Sequence, residues 1–432
     1  MALALVLVAI PVLSSCAPEA KPVSPAPVAP EAEENWVKFG WISALTSPYA
    51  ACYTGGLACL QDHFGALNEA GGIGKDNVKV EILWTDYKFD VPKGLATWDR
   101  FKADPKVIAM GCYWSGLASA LVPKAEKDQV PMIGFAVDDA FLFPPRWYFL
   151  THATGSTWVL TALQGFEKYV WDREKMGRGP KVALIQWDVS FTYTSTPGFK
   201  QYFKDNGWEL VYEAIVPPRQ TDFTIEAAKV KESGAEVVTG ILPGTACGMC
   251  IRDLGKAGLF PDLTYLGTAF NMTDSFLRAG EGYLDNVVGS HMAISPEAPY
   301  PIVDTLVERQ IAKWGNIEDY WIDYLYGYLL SSIIHQALER AVDDVGYDGL
   351  TSVTFKEQGL EGLPRWDTGV GLSLSYNDYP GDRQALGETF FSRWNPETHS
   401  VEPLTPFPIP AEDWLSLTPE EVDKWIKIGI KE

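Results

Sequence analysis

Short apolar runs and helical patterns alternate along most of this chain, and the order in which they alternate predicts its architecture. Val37 to Leu45 is an apolar run interrupted by Gly40, followed by the turn cluster Thr46-Ser47-Pro48-Tyr49 and a helical pattern from about Thr54 to Glu69 that stops at Gly71-Gly72. Val78 to Trp84 reads as a second strand ending at Thr85-Asp86, with a helix from about Val91 to Ala103 behind it. A third run, Val107 to Met110, breaks at Gly111, and a helical stretch from about Leu117 to Lys127 leads to a fourth run, Pro131 to Val137. Repeated strand-helix units favour a parallel sheet covered on both faces. Loops that follow strand C-termini line the ligand crevice of such a sheet, which draws attention to Tyr49, Asp86, Cys112-Tyr113-Trp114-Ser115-Gly116 and Ala136 to Asp139.

The same grammar starts again after Thr154. A helix from about Ser156 to Asp172 precedes a strand from Val182 to Gln186, and the loop Trp187 to Phe191 leads to a helix from about Pro197 to Asn206. Strands at Val211 to Val216, Glu236 to Leu242 and Tyr265 to Thr268 follow, with helices around 224–233 and up to Ala257 between them. Two similar βα lobes imply a cleft between two facing sets of strand-end loops, the second set including Phe191 and Pro243-Gly244-Thr245-Ala246. An aromatic-rich helix from about Glu318 to Val342 and a Gly/Asp/Tyr-rich segment at 366–384 must each return to one lobe or the other.

Composition narrows the function. The 432 residues are 47% hydrophobic and 13% aromatic, enough for two lobes with real cores. The formal net charge is -21, so the average surface repels nucleic acid and anionic lipid headgroups. The five histidines and six cysteines follow no zinc-binding spacing, which leaves neither a metal nor a cofactor to expect. At the amino terminus, Ala2 to Val12 is an apolar run too short to span a bilayer, and Leu13-Ser14-Ser15-Cys16 resembles the lipobox of a bacterial lipoprotein, although no Lys or Arg precedes the run. That resemblance implies a signal peptide over 1–16, a lipid anchor on Cys16 and a location in the periplasm or on the outer face of the cell membrane. Residues 17–35, rich in Pro, Ala and Glu, read as an extended tether.

Phe39-Gly40, Ser47-Pro48-Tyr49, Gly55-Gly56, Asn68-Glu69-Ala70-Gly71-Gly72-Ile73, Asp86, Gly111 with Ser115, Val130 to Ile133 and Asp222-Phe223-Thr224 occur in an order that resembles the leucine/isoleucine/valine-binding branch of the solute-binding proteins of ABC transporters. The resemblance covers roughly residues 36–395. It implies a type I periplasmic-binding fold, two hinge-connected lobes joined by three crossing segments, which captures a small-molecule ligand and hands it to a permease. On that plan 36–154 begins lobe 1, 155–285 forms lobe 2, 286–365 returns to lobe 1, 366–395 returns to lobe 2 and 396–432 is a polar tail with a short helix near 418–428. Position by position, the resemblance puts Tyr49 on the pocket rim, makes Ser115 a hydroxyl donor to the ligand carboxylate and has Ala136 offer its backbone. It also places Asp138 where a threonine is usual, Phe191 at a pocket aromatic and 243–246 at the next pocket loop. One departure matters: the family's amino-acid binders carry a glutamate just after the strand that here ends at Gly267, and this chain reads Thr268-Ala269-Phe270-Asn271. Either Asp138 pairs the ammonium of a branched-chain or aromatic amino acid, or the ligand is a small aromatic carboxylate or amide.

Each candidate also has an ordinary reading. Ser115 could cap its helix, Trp114, Phe191 and Phe270 could be core aromatics, and Asp138-Asp139 could be a solvated turn. Cys247-Gly248-Met249-Cys250 has thioredoxin spacing, but a structural disulfide is the favoured expectation, with the pairing of Cys52, Cys59 and Cys112 open. No Gly-x-Ser-x-Gly, Walker, His-Glu-x-x-His or paired-carboxylate constellation occurs, which argues against an enzyme. A sensory ectodomain of the same fold would need a transmembrane helix and a signalling domain, and the sequence supplies neither pattern.

Overall fold

The computed structural model describes residues 34–47, 50–138, 141–142, 145–218, 220–269, 271–273, 277–291, 294–317, 320–377, 383–386, 388–397, 400–404 and 409–410. Residues 35 onward form one compact unit. Within it, strands β1 (Trp36–Ser43), β2 (Lys79–Asp86), β3 (Val107–Cys112), β4 (Met132–Gly134) and β5 (Tyr148–Leu150) make a sheet in the order β2-β1-β3-β4-β5. All its ladders are parallel. Every residue of β3 is buried, as a strand covered on both faces requires, whereas β2 at the edge is half exposed. Helices α1 (Ala50–Glu69), α2 (Val91–Lys102) and α3 (Ser115–Asp128) are the crossovers. The first begins earlier than its apolar pattern suggested, its turn closed by the bond from Ala50 N to Ser47 O at 3.1 Å.

Helices α4 (Gly155–Tyr169) and the short α5 (Arg173–Met176) lead into the second sheet. Strands β6 (Lys181–Trp187), β7 (Glu209–Val216), β8 (Val237–Thr239), β9 (Thr264–Gly267) and β10 (Val287–His291) alternate with α6 (Ser190–Asp205), α7 (Thr224–Ser233) and α8 (Ala246–Lys256). Here β10 pairs in parallel with β9, so the second sheet gains a strand beyond the boundary expected at residue 285. The chain then returns through α9 (Pro301–Trp314) and α10 (Trp321–Val345), and the latter lies along α1.

The hairpin of β11 (Trp366–Asp367) and β12 (Ser373–Leu374) corrects the expected return to lobe 2 at 366. Tyr328 Oη of α10 donates to Thr368 O at 2.7 Å, and Trp366 Nε1 donates to Ser332 Oγ at 2.9 Å. Tyr376 packs edge-on against Phe149 of β5. Residues 366–377 therefore stay with the first lobe, because their aromatic side chains find apolar and hydrogen-bonding partners there. Within 366–395, among the described residues, the strand that joins the second sheet is β13 (Glu388–Asn395), antiparallel to β10. It is followed by β14 (Ser400–Pro403) and β15 (Ile409–Pro410), so the expected tail from 396 contributes two strands. The helix expected near 418–428 lies outside the described residues.

Candidate functional site

Helix α3 opens at the C-terminal end of β3 and α6 at the C-terminal end of β6, and the two helices approach one another. At the end of β3 the backbone turns through Tyr113 and Trp114, and α3 opens with Trp114 at the N-cap, without a side-chain cap bond. Ser115 is therefore the first helical residue rather than the cap. It is 5% exposed, and among the described residues its hydroxyl forms no hydrogen bond, so it remains available beside the N–H groups that open the helix. Trp114 has structural contacts of its own. Its indole lies on Phe89, with ring centroids 4.1 Å apart, and covers Gly116 so closely that a Cβ there would sit 2.3 Å from it. Gly116 is thus required by the indole, and the indole shields the first turn of the helix.

At the end of β4, Ala136 and Asp138 are both buried, Asp138 at 3% exposure. The Ala136 carbonyl already accepts a hydrogen bond from Tyr148 Oη at 2.8 Å, which weakens its expected role as a backbone ligand group. Val137 O accepts from Gly155 N at 3.2 Å, tying this loop to the start of α4. In the second lobe Phe191 is buried in the first turn of α6, Pro243 is buried and Gly244 adopts φ +66°, a left-handed turn that suits glycine. Thr245 is exposed. Among the described residues Thr192 Oγ1, Thr268 Oγ1 and Trp187 Nε1 are buried without a hydrogen-bond partner at these strand ends, which gives the second lobe uncharged polar groups of its own. Tyr49, Phe270 and the anchor residue Cys16 lie outside the described residues.

Asn271 explains the missing acid. It is fully buried, its amide nitrogen donates to Gly240 O and to Tyr265 Oη at 3.0 Å each, and its side-chain oxygen accepts from Leu242 N at 3.3 Å. The residue fastens the end of β9 to the end of β8, and Ala269 beside it is buried and apolar. The expected disulfide is absent: Cys247 and Cys250 are free buried thiols on α8. Cys247 Sγ lies 3.3 Å from Gly244 O, and burial pushes its thiol up to about 12 and that of Cys250 well above the usual range, which is the opposite of a reactive pair. Cys59 and Cys112 are also free and buried. The described residues contain no cluster of His, Cys, Asp or Glu able to hold a metal ion, and no helix long and apolar enough to cross a membrane.

Sequence reasoning missed a row of rings along the first sheet. Tyr87, Tyr113 and Phe135 each stand one residue past the end of β2, β3 and β4, and His152 stands two past β5. Phe135 stacks on Tyr113 at 4.7 Å and on Tyr326 of α10 at 6.1 Å, and Tyr53 of α1 meets Tyr113 at 5.4 Å. The readable signal was an aromatic residue just beyond successive apolar runs.

Two parallel-stranded lobes, facing strand ends and repeated crossings restrict the candidates to a few families, and the sequence itself decides among them. Residues 36–399 match the periplasmic binding protein family. The chain belongs to that family. Comparison of this periplasmic binding protein with curated proteins returns no significant match. Among solved structures it is similar to a branched-chain amino acid ABC transporter protein from Thermus thermophilus with bound valine, at 16% identity and a TM-score of 0.74 over 87% of this chain and 97% of the other. A fatty acid ABC transporter substrate-binding protein from Thermomonospora curvata is similar at 17% identity and 0.72, over 89% and 96%. So is a solute-binding protein of an ABC transporter from R. palustris in complex with 4-hydroxybenzoate, at 17% and 0.72, over 88% and 98%. At these identities the likeness establishes the type I fold of this binding protein, as the sequence resemblance implied.

Proposed function

We propose that this periplasmic binding protein is the extracytoplasmic capture component of an ABC importer, anchored by lipid on Cys16, which closes on a small carboxylate with a flat apolar body and delivers it to a permease. The observation that carries the reading is the opening turn of α3, where the unspent Ser115 hydroxyl and helical N–H groups stand next to the ring row of Tyr113 and Phe135. Donors at a helix N-terminus suit a carboxylate, and the rings suit an aromatic or branched body. Similarity to binders of valine, fatty acid and 4-hydroxybenzoate supports the solute class without choosing within it.

Two ligand types fit. Asp138 would pair the ammonium of an amino acid, whereas the structural use of Asn271 and the apolar Ala269 leave the second lobe without an acid at the usual place, which favours an aromatic carboxylate. Native mass spectrometry of the protein as isolated, followed by calorimetric titration with leucine, phenylalanine, benzoate and 4-hydroxybenzoate, tests the reading. Stoichiometric binding of one of them, recovered unaltered, is expected; turnover, or no binding to any, would overturn it.

A further inference from the structure

His152 is the residue of the ring row that bridges the lobes. It follows β5 in the first crossing, and its ring lies 5.3 Å from Phe135 of the first lobe, 6.2 Å from Tyr326 on α10 and 4.6 Å from Trp158 on α4. Its Nδ1 is 2.9 Å from Ala153 O, and because a carbonyl oxygen can only accept, Nδ1 carries the proton. In the neutral ring Nε2 is therefore a bare acceptor, and among the described residues no donor reaches it. The residue as a whole is 2% exposed. Burial among rings keeps the imidazole neutral across the physiological range.

We propose that His152 is a specificity-determining residue of the cleft, whose Nε2 accepts a hydrogen bond from a hydroxyl or N–H group on the apolar body of the bound solute. This rests on the capture function proposed above and names a ligand class: a small aromatic acid carrying its own hydrogen-bond donor, held by its carboxylate at α3 and by its donor at the crossing. A site built to accept such a bond discriminates against the analogue that lacks the donor, because the buried acceptor is then left unmatched.

The test uses two matched pairs, 4-hydroxybenzoate with benzoate and tyrosine with phenylalanine, titrated calorimetrically into the full chain. The wild type is expected to bind the hydroxylated member of at least one pair tenfold or more tightly, and His152→Phe, which keeps a ring in the cluster, is expected to bring that ratio close to one. His152→Gln, with an amide at similar reach, should retain part of the preference and guards against a misfolded Phe variant. In histidine-labelled wild-type protein the Nε2 nitrogen resonance should move on adding the hydroxylated probe and stay when the other is added, a signature that a merely structural histidine does not give. Equal affinities within each pair, a preference that survives His152→Phe, or an unmoved Nε2 resonance would each overturn the assignment of His152. Failure of the wild type to bind any of the four probes would instead sink the capture reading on which it rests.

Discussion

At the residue scale, Ser115 and Asp138 carry opposite expectations. Removing the Ser115 hydroxyl takes a donor from a carboxylate but leaves the helix N-terminus in place, so Ser115→Ala should weaken binding of any carboxylate solute by about tenfold to a hundredfold, as for a hydrogen bond to a charged group. Calorimetry on the ligand that co-purifies checks it, and unchanged affinity would remove Ser115 from the site. Asp138→Asn separates the ligand types: an amino acid should lose about 2–5 kcal/mol of affinity, while an aromatic carboxylate should bind as before or slightly better.

His152 also makes stability depend on pH. Burial lowers its pKa from 6.5 to about 3, so between those values the unfolded chain holds a proton that the folded chain does not. Stability from this group is complete above about pH 6.5 and falls by about 1.4 kcal/mol per unit as pH drops toward 3. Urea midpoints at pH 7 and pH 5 should differ, buried His63, also lowered to about 3, sharing the effect, and His152→Phe should reduce the difference without abolishing it; an equally steep fall in the variant would assign the effect elsewhere.

At the scale of elements, the strand-end junctions hold more information than the elements themselves. Asn271 couples β8 to β9 through three side-chain hydrogen bonds. Asn271→Ala leaves Gly240 O, Tyr265 Oη and Leu242 N to find other partners in a buried place, and a loss of about 2–4 kcal/mol in chemical denaturation is expected. A change below about 0.5 kcal/mol would mean that the clamp is not what holds the loop. Apolar runs such as Val107 to Met110 and Val182 to Gln186 were legible as buried parallel strands because both faces must be covered, and the alternation with helices then fixed the fold class. What the sequence hid was the use of individual junction residues. Trp114 reads as a pocket aromatic but spends its indole on Phe89 and Gly116, and Cys247 and Cys250 read as a disulfide but remain separate thiols inside α8. For Trp114 the stacking partner Phe89 lies 25 residues back along the chain, and local pattern contains no record of it. The hairpin at 366–374 likewise has anchors distant in sequence, Tyr328 and Ser332 of α10.

At the scale of the whole molecule, a solute that touches both lobes stabilises the closed arrangement, because only that arrangement makes both sets of contacts. Solution scattering with saturating ligand should therefore give a smaller radius of gyration than without it, and an unchanged value would count against hinge closure. Attachment is tested separately: Cys16→Ser should move the protein from the membrane fraction to the soluble one, and a variant that stays with membranes would refute the lipid anchor.

The crossings themselves are fastened together. Buried Gln384 accepts from Thr154 N at 3.0 Å and from Thr157 Oγ1 at 3.4 Å, while Leu150 N donates to Arg383 O and Ala385 N donates to Leu150 O. The two segments that lead from the first lobe into the second are thus bound side by side, in parallel, as two leaves of a door share one pin. Such a joint resists shear more than rotation, so closure on a solute should reduce to a single angular coordinate. The kinetic trace of solute capture should accordingly contain one conformational phase beyond the encounter, and Gln384→Ala, by letting the two strands move apart, should split it into several.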